Sequence, residues 1–370
     1  MTDQPIPQTD PKAGYLAHKA EIDQAIARVL ASGWYILGQE VAAFEREFAA
    51  YIGARHGVGV ANGTDALVLG LKALGVGPGD MVATVSHTAV ATVAAIELAG
   101  AQPLLIDIDA DRFTMDPANL TAALDAHRGR VKAVIPVHLY GQPADMAAIG
   151  DIARGHGARI LEDCSQAHGA ALDGRKVGLW GDLAAYSLYP TKNLSALGDG
   201  GVLTTDDDEL NQRLRMLREY GWRERYISDV PGTNTRLDEL QAAILRAKLV
   251  HLETENERRR QVAAAYDRAL GNGPVQAPRR VPGAVHVYHQ YVVKVAERDA
   301  FRQRLKERGI ATALHYPLAV HRQPAYLDRV PLAPTGLPET ERIMHTIVSL
   351  PMFGQMTDQQ VERVTAALRR

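Results

Sequence analysis

One cysteine, Cys164, stands in 370 residues, so no internal disulfide framework can form. Charge of one sign is also missing. Lys and Arg number 41 against 43 Asp and Glu, a formal net of −2. That balance gives no basic surface to hold a nucleic-acid backbone, and any anionic ligand must be held by local groups. No uninterrupted apolar stretch reaches membrane-spanning length, and the first residues, Met1 to Lys12, are polar and carry prolines rather than a signal-peptide core. A cytoplasmic soluble protein that binds neither nucleic acid nor membrane is the expectation. Repeats and low-complexity segments are lacking too. What is present is 46% hydrophobic and 23% charged sequence, enough for a well-filled core. The length suggests a large domain and a smaller one.

Residues 20–31 and 39–51 read as amphipathic helices. Strand-like and helix-like segments then alternate. The expected strands are Gly57–Val60, Met81–Val85, Pro103–Ile106, Val131–Val137, Arg159–Glu162, Ala184–Leu188 and Val202–Thr205. Helical patterns cover 64–74, 89–99, 117–126, 144–156 and 207–219. This rhythm predicts an α/β fold, with a mostly parallel seven-stranded sheet flanked by helices. Ligands of such sheets bind beyond the carboxyl ends of the strands. From Leu237 to Leu270 the pattern predicts one long helix. Beyond it, a smaller α+β unit is expected, with a strand at Tyr288–Val295 and helices at Asp299–Arg308 and Met356–Arg370. The expected domains are 1–250 and 251–370.

Lys192 ends the run Ser187-Leu-Tyr-Pro-Thr-Lys192 and precedes the turn Gly198-Asp199-Gly200-Gly201. A surface lysine needs no such setting. A lysine that forms an imine with an aldehyde needs a fixed base, a rigid loop and a lowered pKa. Asp163 ends another apolar strand, where a carboxylate can keep a pyridine nitrogen protonated. Asn62-Gly63-Thr64-Asp65 opens a helix whose first N–H groups, with the Thr64 hydroxyl, form an anion cup. Taken singly, Thr64 or Asn62 is an ordinary N-cap and Ser187 an ordinary strand serine. Together the lysine, carboxylate and cup are the parts that pyridoxal phosphate (PLP) requires. A metal held by Asp163, Cys164 and His168 is disfavoured, because adjacent Asp and Cys rarely aim at one centre. The glycines of Gly75-Val-Gly77-Pro-Gly79 follow a helix and precede a strand, the reverse of the dinucleotide fingerprint, and read as a turn. His286 and His289 read as structural residues on opposite faces of a strand.

The chain resembles the DegT/DnrJ/EryC1/StrS group of PLP-dependent nucleotide-sugar aminotransferases, of the aspartate-aminotransferase fold (type I). The likeness rests on Tyr35-Ile-Leu-Gly38, Gly63-Thr64-Asp65-Ala66-Leu67, Glu162-Asp163-Cys-Ser-Gln166-Ala-His168-Gly169 and Ser187 through Gly201. It continues through Gly232-Thr-Asn234-Thr-Arg236-Leu-Asp238-Glu239, His315-Tyr316-Pro317 and Leu350-Pro351-Met352. The resemblance implies that Lys192 carries the cofactor as an imine and shuttles protons. It gives Asp163 the pyridine nitrogen, Gln166 the phenolic oxygen, and Gly63, Thr64 and Ser187 the phosphate. Asn234 and Arg236 would serve the neighbouring subunit's site in a homodimer. Tyr35, Tyr316 and His321 are candidate substrate contacts. The family commonly carries an aromatic residue at the position of Ala89 to stack on the ring. Here either His87 stacks or another group covers that face. The implied reaction moves an amino group from L-glutamate, by way of the pyridoxamine phosphate (PMP) form, to a nucleotide-linked keto-deoxysugar. A dTDP-3-keto-6-deoxyhexose is favoured. A 4-keto sugar, a PLP-dependent sugar dehydratase and a non-catalytic regulatory homologue are the alternatives. Lys192 stands against the dehydratase, in which histidine replaces it, and the intact set of Lys192, Asp163 and Ser187 stands against a regulatory protein.

Overall fold

A computed structural model describes residues 4–369. Seven strands form the central sheet: β1 His56–Val60, β2 Met81–Val85, β3 Gln102–Ile106, β4 Val131–Ile135, β5 Arg159–Asp163, β6 Leu183–Ser187 and β7 Gly201–Thr205. Their order is β1-β7-β6-β5-β4-β2-β3. Only β7 opposes its neighbours; the pairs from β6 across to β3 are parallel. These strands are apolar along nearly their whole length, as a sheet covered on both faces requires.

The helices are α1 Pro11–Ala17, α2 Lys19–Ser32, α3 Gln39–Ile52, α4 Gly63–Ala73, α5 Val90–Leu98, α6 Pro117–Ala126, α7 Met146–Gly155, α8 Asp208–Leu217, α9 Glu239–Leu249, α10 Leu252–Leu270, α11 Arg298–Glu307, α12 Pro338–Ile343 and α13 Asp358–Leu368. Local chemistry sets their starts. The Asn62 carboxamide accepts from Asp65 N at 2.8 Å to begin α4. Asp207 caps α8, and Thr357 with Gln360 forms a capping box on α13. The start of α3 is capped from a distance: the Glu239 carboxylate takes N–H bonds from Gly38, Glu40 and Val41 at 2.8–3.0 Å.

The helix expected over 237–270 is two helices. His251 N bonds to Lys248 O at 3.1 Å, an i→i−3 turn that breaks the i→i−4 ladder between α9 and α10. Apolar periodicity continues through such a tightened turn, so the sequence pattern does not reveal it. The expected strand at 288–295 begins only at Tyr291, and β8 Tyr291–Lys294 pairs with β9 Ile347–Leu350. The last helix ends at Leu368; Arg370 and Met1–Asp3, which belong to the expected terminal segments, lie outside the described residues.

The boundary expected at 250/251 coincides with the break between α9 and α10, but the chain crosses it elsewhere. Ile6 is fully buried among Val262, Tyr266, Tyr291 and Leu350. Val320 and Tyr326 return to pack against Val93 and Leu105 of the large sheet. Among the described residues no helix is long and apolar enough to cross a membrane.

Candidate active site

A cavity of about 340 Å³ opens at the carboxyl ends of β5 and β6, where the loop after β6 meets the start of α4. Gly63, Thr64, Asp163, Gln166, Ser187, Lys192 and Tyr316 all line it. The structure thus brings together seven of the residues singled out in the sequence.

At the cup, Asp65 N is taken by the Asn62 cap, while Gly63 and Thr64 sit in the first turn, where N–H groups have no intrahelical acceptor. A Cβ on Gly63 would lie 2.6 Å from Ser187 Cβ, so glycine is what lets the α4 start close against the β6 end. On the other flank, a Cβ on Gly201 would meet Asn62 O at 2.3 Å. Backbone N–H groups, the Thr64 hydroxyl and the Ser187 hydroxyl therefore converge at a helix N-terminus, the environment that a phosphate group prefers.

Asp163 is buried at the end of β5. Its Oδ2 accepts from Thr92 Oγ1 at 2.9 Å and its Oδ1 from Ser165 N at 3.1 Å. Thr88 in turn meets Thr92 at 3.1 Å. The preceding residue, Glu162, is clamped by N–H bonds from Gly178, Trp180 and Gly181 at 2.7–2.8 Å and by His138 Nε2 at 3.0 Å. His138 Nδ1 accepts from Ala144 N, so Nε2 carries the proton and the imidazole is a hydrogen-bond donor to Glu162. That network fixes the strand end from which Asp163 projects.

Lys192 is half-buried, and its backbone N bonds to Tyr189 O at 2.8 Å. Crowding around its amine pulls the pKa down to about 8, with the charge of Asp163 pulling the other way. About a tenth of the amine is thus neutral at pH 7, far more than for an ordinary lysine, which favours imine chemistry. Gln166 spans two elements: its Oε1 accepts from Tyr140 N at 2.7 Å and its Nε2 donates to the Tyr316 hydroxyl at 3.1 Å. Burial pushes the Tyr316 phenol up to about 12, so it stays protonated.

Other expected residues lie elsewhere. His87 is buried but turned off the cavity, because an interior imidazole needs a partner: its Nε2 lies 2.7 Å from the Tyr140 hydroxyl, beside Phe113. Ala89 and Thr88 occupy the cavity wall there. His321 is likewise withdrawn, held between Ser86 Oγ at 2.7 Å and Glu341 at 3.2 Å. Tyr35 and Arg236 line a separate groove with Trp34, Glu219 and Trp222; Arg236 Nη1 is 3.8 Å from Glu219. Asn234 is exposed on the adjoining loop. Within one chain, then, Tyr35, Asn234 and Arg236 do not reach Lys192.

Sequence reasoning missed Thr92, which faces Asp163 from the first turn of α5, and misplaced His289. His289 precedes β8 instead of lying within it, and it lines the cavity with Gln290 and His315. A polar pair before a strand carries no periodic signal, so only the fold reveals it.

A lysine, a buried carboxylate and a helix N-terminus gathered in one cavity on a mostly parallel sheet are the parts that a PLP-dependent enzyme of fold type I needs. The chain belongs to the DegT/DnrJ/EryC1/StrS aminotransferase family, which it matches over residues 17–369. It is 46% identical over 366 residues to a dTDP-3-amino-3,4,6-trideoxy-alpha-D-glucose transaminase of Streptomyces venezuelae, spanning 98% of this chain and 95% of that one. Among solved structures, S. venezuelae DesV in complex with a ketimine intermediate superposes with a TM-score of 0.95 at 45% identity, covering 99% of this chain and 98% of DesV. NtdA of Bacillus subtilis with bound PMP superposes with a TM-score of 0.91 at 28% identity, covering 100% of this chain and 85% of NtdA.

Proposed function

We propose that this enzyme moves an amino group from L-glutamate to a keto sugar carried on a nucleoside diphosphate, with a dTDP-3-keto-6-deoxyhexose as the favoured acceptor. The observation that carries the reading is Lys192, its amine pulled down to about 8 in a cavity that also presents Asp163 and the Gly63–Ser187 cradle. Amination at C3 is supported by the name of the S. venezuelae transaminase. A 4-keto sugar is the rival.

The residues fit the cofactor. Gly63, Thr64 and Ser187 would hold its phosphate, Asp163 its ring nitrogen, Gln166 its phenolic oxygen and Lys192 its aldehyde carbon. When bound, PLP supplies an electron sink for the bonds at the amino-bearing carbon. The protein does the rest. Asp163, oriented by Thr92 and Ser165 N, would keep a positive charge on the ring nitrogen. With the cofactor bound, Lys192 Nζ would move a proton from the donor carbon to the cofactor in the first half-reaction, and from the cofactor to the sugar carbon in the second. Tyr316, protonated and tied to Gln166, offers a neutral hydrogen bond at the cavity wall.

The enzyme works as a cytoplasmic homodimer in this reading, with Asn234 and Arg236 completing the partner's site and Tyr35 contributing to substrate contact. Support comes from the groove around Arg236 and its exposed apolar rim: Trp34, Tyr35, Ile36, Tyr220, Tyr226 and Ile227. The deciding assay incubates the enzyme, PLP and L-glutamate with dTDP-, UDP- and GDP-linked 3-keto and 4-keto sugars, and follows the amino sugar by mass spectrometry. Amination of 4-keto sugars alone would overturn the C3 assignment; no amination and no 2-oxoglutarate would overturn the reading.

A further inference from the structure

The N-terminal segment is stitched into the far end of the chain. Ile6 N bonds to Gly309 O at 2.8 Å, Ala311 N to Ile6 O at 2.9 Å, and Met352 N to Gln8 O at 3.0 Å. This docking carries the Gln8 side chain to Gln290, which is buried and lines the active-site cavity.

Three backbone carbonyls fix the direction of the hydrogen bonds here. The Gln8 amide lies 3.3 Å from Leu350 O and 2.6 Å from the Gln290 amide. Leu350 O can only accept, so the Gln8 atom is nitrogen, and the Gln290 atom facing it is oxygen. Gln290 must then point its NH₂ the other way, toward His289 Nε2 at 3.4 Å. His289 can receive that N–H only on a bare nitrogen.

A second route gives the same answer. Asn256 Nδ2 donates to His168 O at 2.9 Å, so Asn256 Oδ1 is the acceptor for Asn193 Nδ2 at 2.8 Å. Asn193 Nδ2 also donates to Val287 O at 3.0 Å. Asn193 therefore presents Oδ1 to His289 Nδ1 at 3.3 Å, and that nitrogen must carry the proton. Both routes specify a neutral His289 with Nδ1–H and a bare Nε2. Burial, helped by the charge of Lys192, keeps it uncharged. The result is a head-to-tail relay, Gln8 to Gln290 to His289 to Asn193, ending on the residue next to Lys192.

Among the described residues, His289 is the one partner of the Gln290 amide nitrogen, which leaves a second N–H. We infer that Gln8 is a positioning residue: its Nε2 donates to Gln290 Oε1 and so locks the Gln290 amide, such that an N–H donor, not a carbonyl, faces the cavity and meets an acceptor oxygen of the substrate. That oxygen belongs to the carboxylate of the amino donor or to a hydroxyl or carbonyl of the keto sugar. The inference rests on the aminotransferase reading.

The test compares holoenzymes carrying Gln8→Leu, Gln8→Glu, Gln290→Ala and the double change Gln8→Leu with Gln290→Ala. KM and kcat are measured for each substrate separately, beside the thermal midpoint and PLP affinity. Leucine frees the Gln290 amide. Glutamate can only accept, so it draws the NH₂ toward itself and turns the carbonyl into the cavity. Gln8→Glu should therefore be the more damaging change, raising KM for one substrate about tenfold against about threefold for Gln8→Leu, with PLP affinity unchanged. The substrate whose KM rises identifies the oxygen. Adding Gln8→Leu to Gln290→Ala should change nothing further. A role confined to anchoring the segment predicts instead a lowered thermal midpoint with KM for both substrates changed alike in the two Gln8 variants, and full additivity with Gln290→Ala. Either of those results, or wild-type KM values in both Gln8 variants, would overturn the inference alone. A wild-type enzyme whose bound cofactor ignores every amino donor would overturn the aminotransferase reading, and this inference with it.

Discussion

Lys192 and Asp163 stood out in the sequence because Asp163 ends an apolar strand and Lys192 lies in the loop that follows another, and both line the cavity. Thr92 was not legible, since a threonine in an alanine-rich helix is unremarkable until Asp163 lies 2.9 Å away. His87 was misleading for a related reason: its neighbours in sequence line the cavity while its own ring serves Tyr140. Three outcomes follow at this scale. Borohydride reduction of the holoenzyme, followed by peptide mapping, should place the pyridoxyl label on Lys192, and Lys192→Ala should retain cofactor without turning over. Asp163→Asn keeps the shape and removes the charge; kcat should fall by about a hundredfold or more, against about tenfold for Thr92→Val, which loses one bond to a carboxylate. The third concerns pH. Only the neutral amine of Lys192 attacks an aldehyde, and its pKa lies at about 8, below that of an ordinary lysine. The rate of PLP uptake by cofactor-free enzyme, read from the visible band, should climb roughly tenfold per unit below pH 8 and flatten above it. A midpoint near that of a free lysine would mean that burial does not tune this amine.

The elements of the large sheet were read to within a few residues because their apolar runs and caps agree with the fold that they form. The failures share one cause, a change of geometry with no change of composition. The turn at His251 splits α9 from α10 inside a continuous helical pattern. The residues before β8 look like strand but curve into the cavity. The cap on α3 was equally hidden, since its carboxylate comes from Glu239, two hundred positions away along the chain. Glu239 is buried and satisfies three N–H groups. Glu239→Ala should cost about 2–4 kcal/mol, because those donors lose their acceptor inside the protein. Equilibrium denaturation with urea measures it. A loss below about 0.5 kcal/mol would show that water replaces the cap.

For the molecule as a whole, the active site is incomplete in one chain if Asn234 and Arg236 serve a partner. Complementation decides this. Lys192→Ala and Arg236→Ala homodimers should each be nearly inactive, while exchange of their subunits should return activity through one intact site per heterodimer. Demonstrated heterodimers without recovery would assign both residues to the same subunit's site. The seven-stranded fold carries no direct mark of this arrangement; the exposed rim from Trp34 to Ile36, beside Tyr226, is what suggests it.

The docking of Ile6 against Gly309, and of Gln8 against Met352, also sets an order in time. A chain emerging from the ribosome folds its early parts first. Here Ile6 and Gln8 must stay undocked until Gly309 and Met352 have been made. The central sheet can form while synthesis continues, but the wall of the cavity at Gln290 closes only when the segment around Ile6 and Gln8 meets Gly309 and Met352. Synthesis past Met352 is thus built into the maturation of the site.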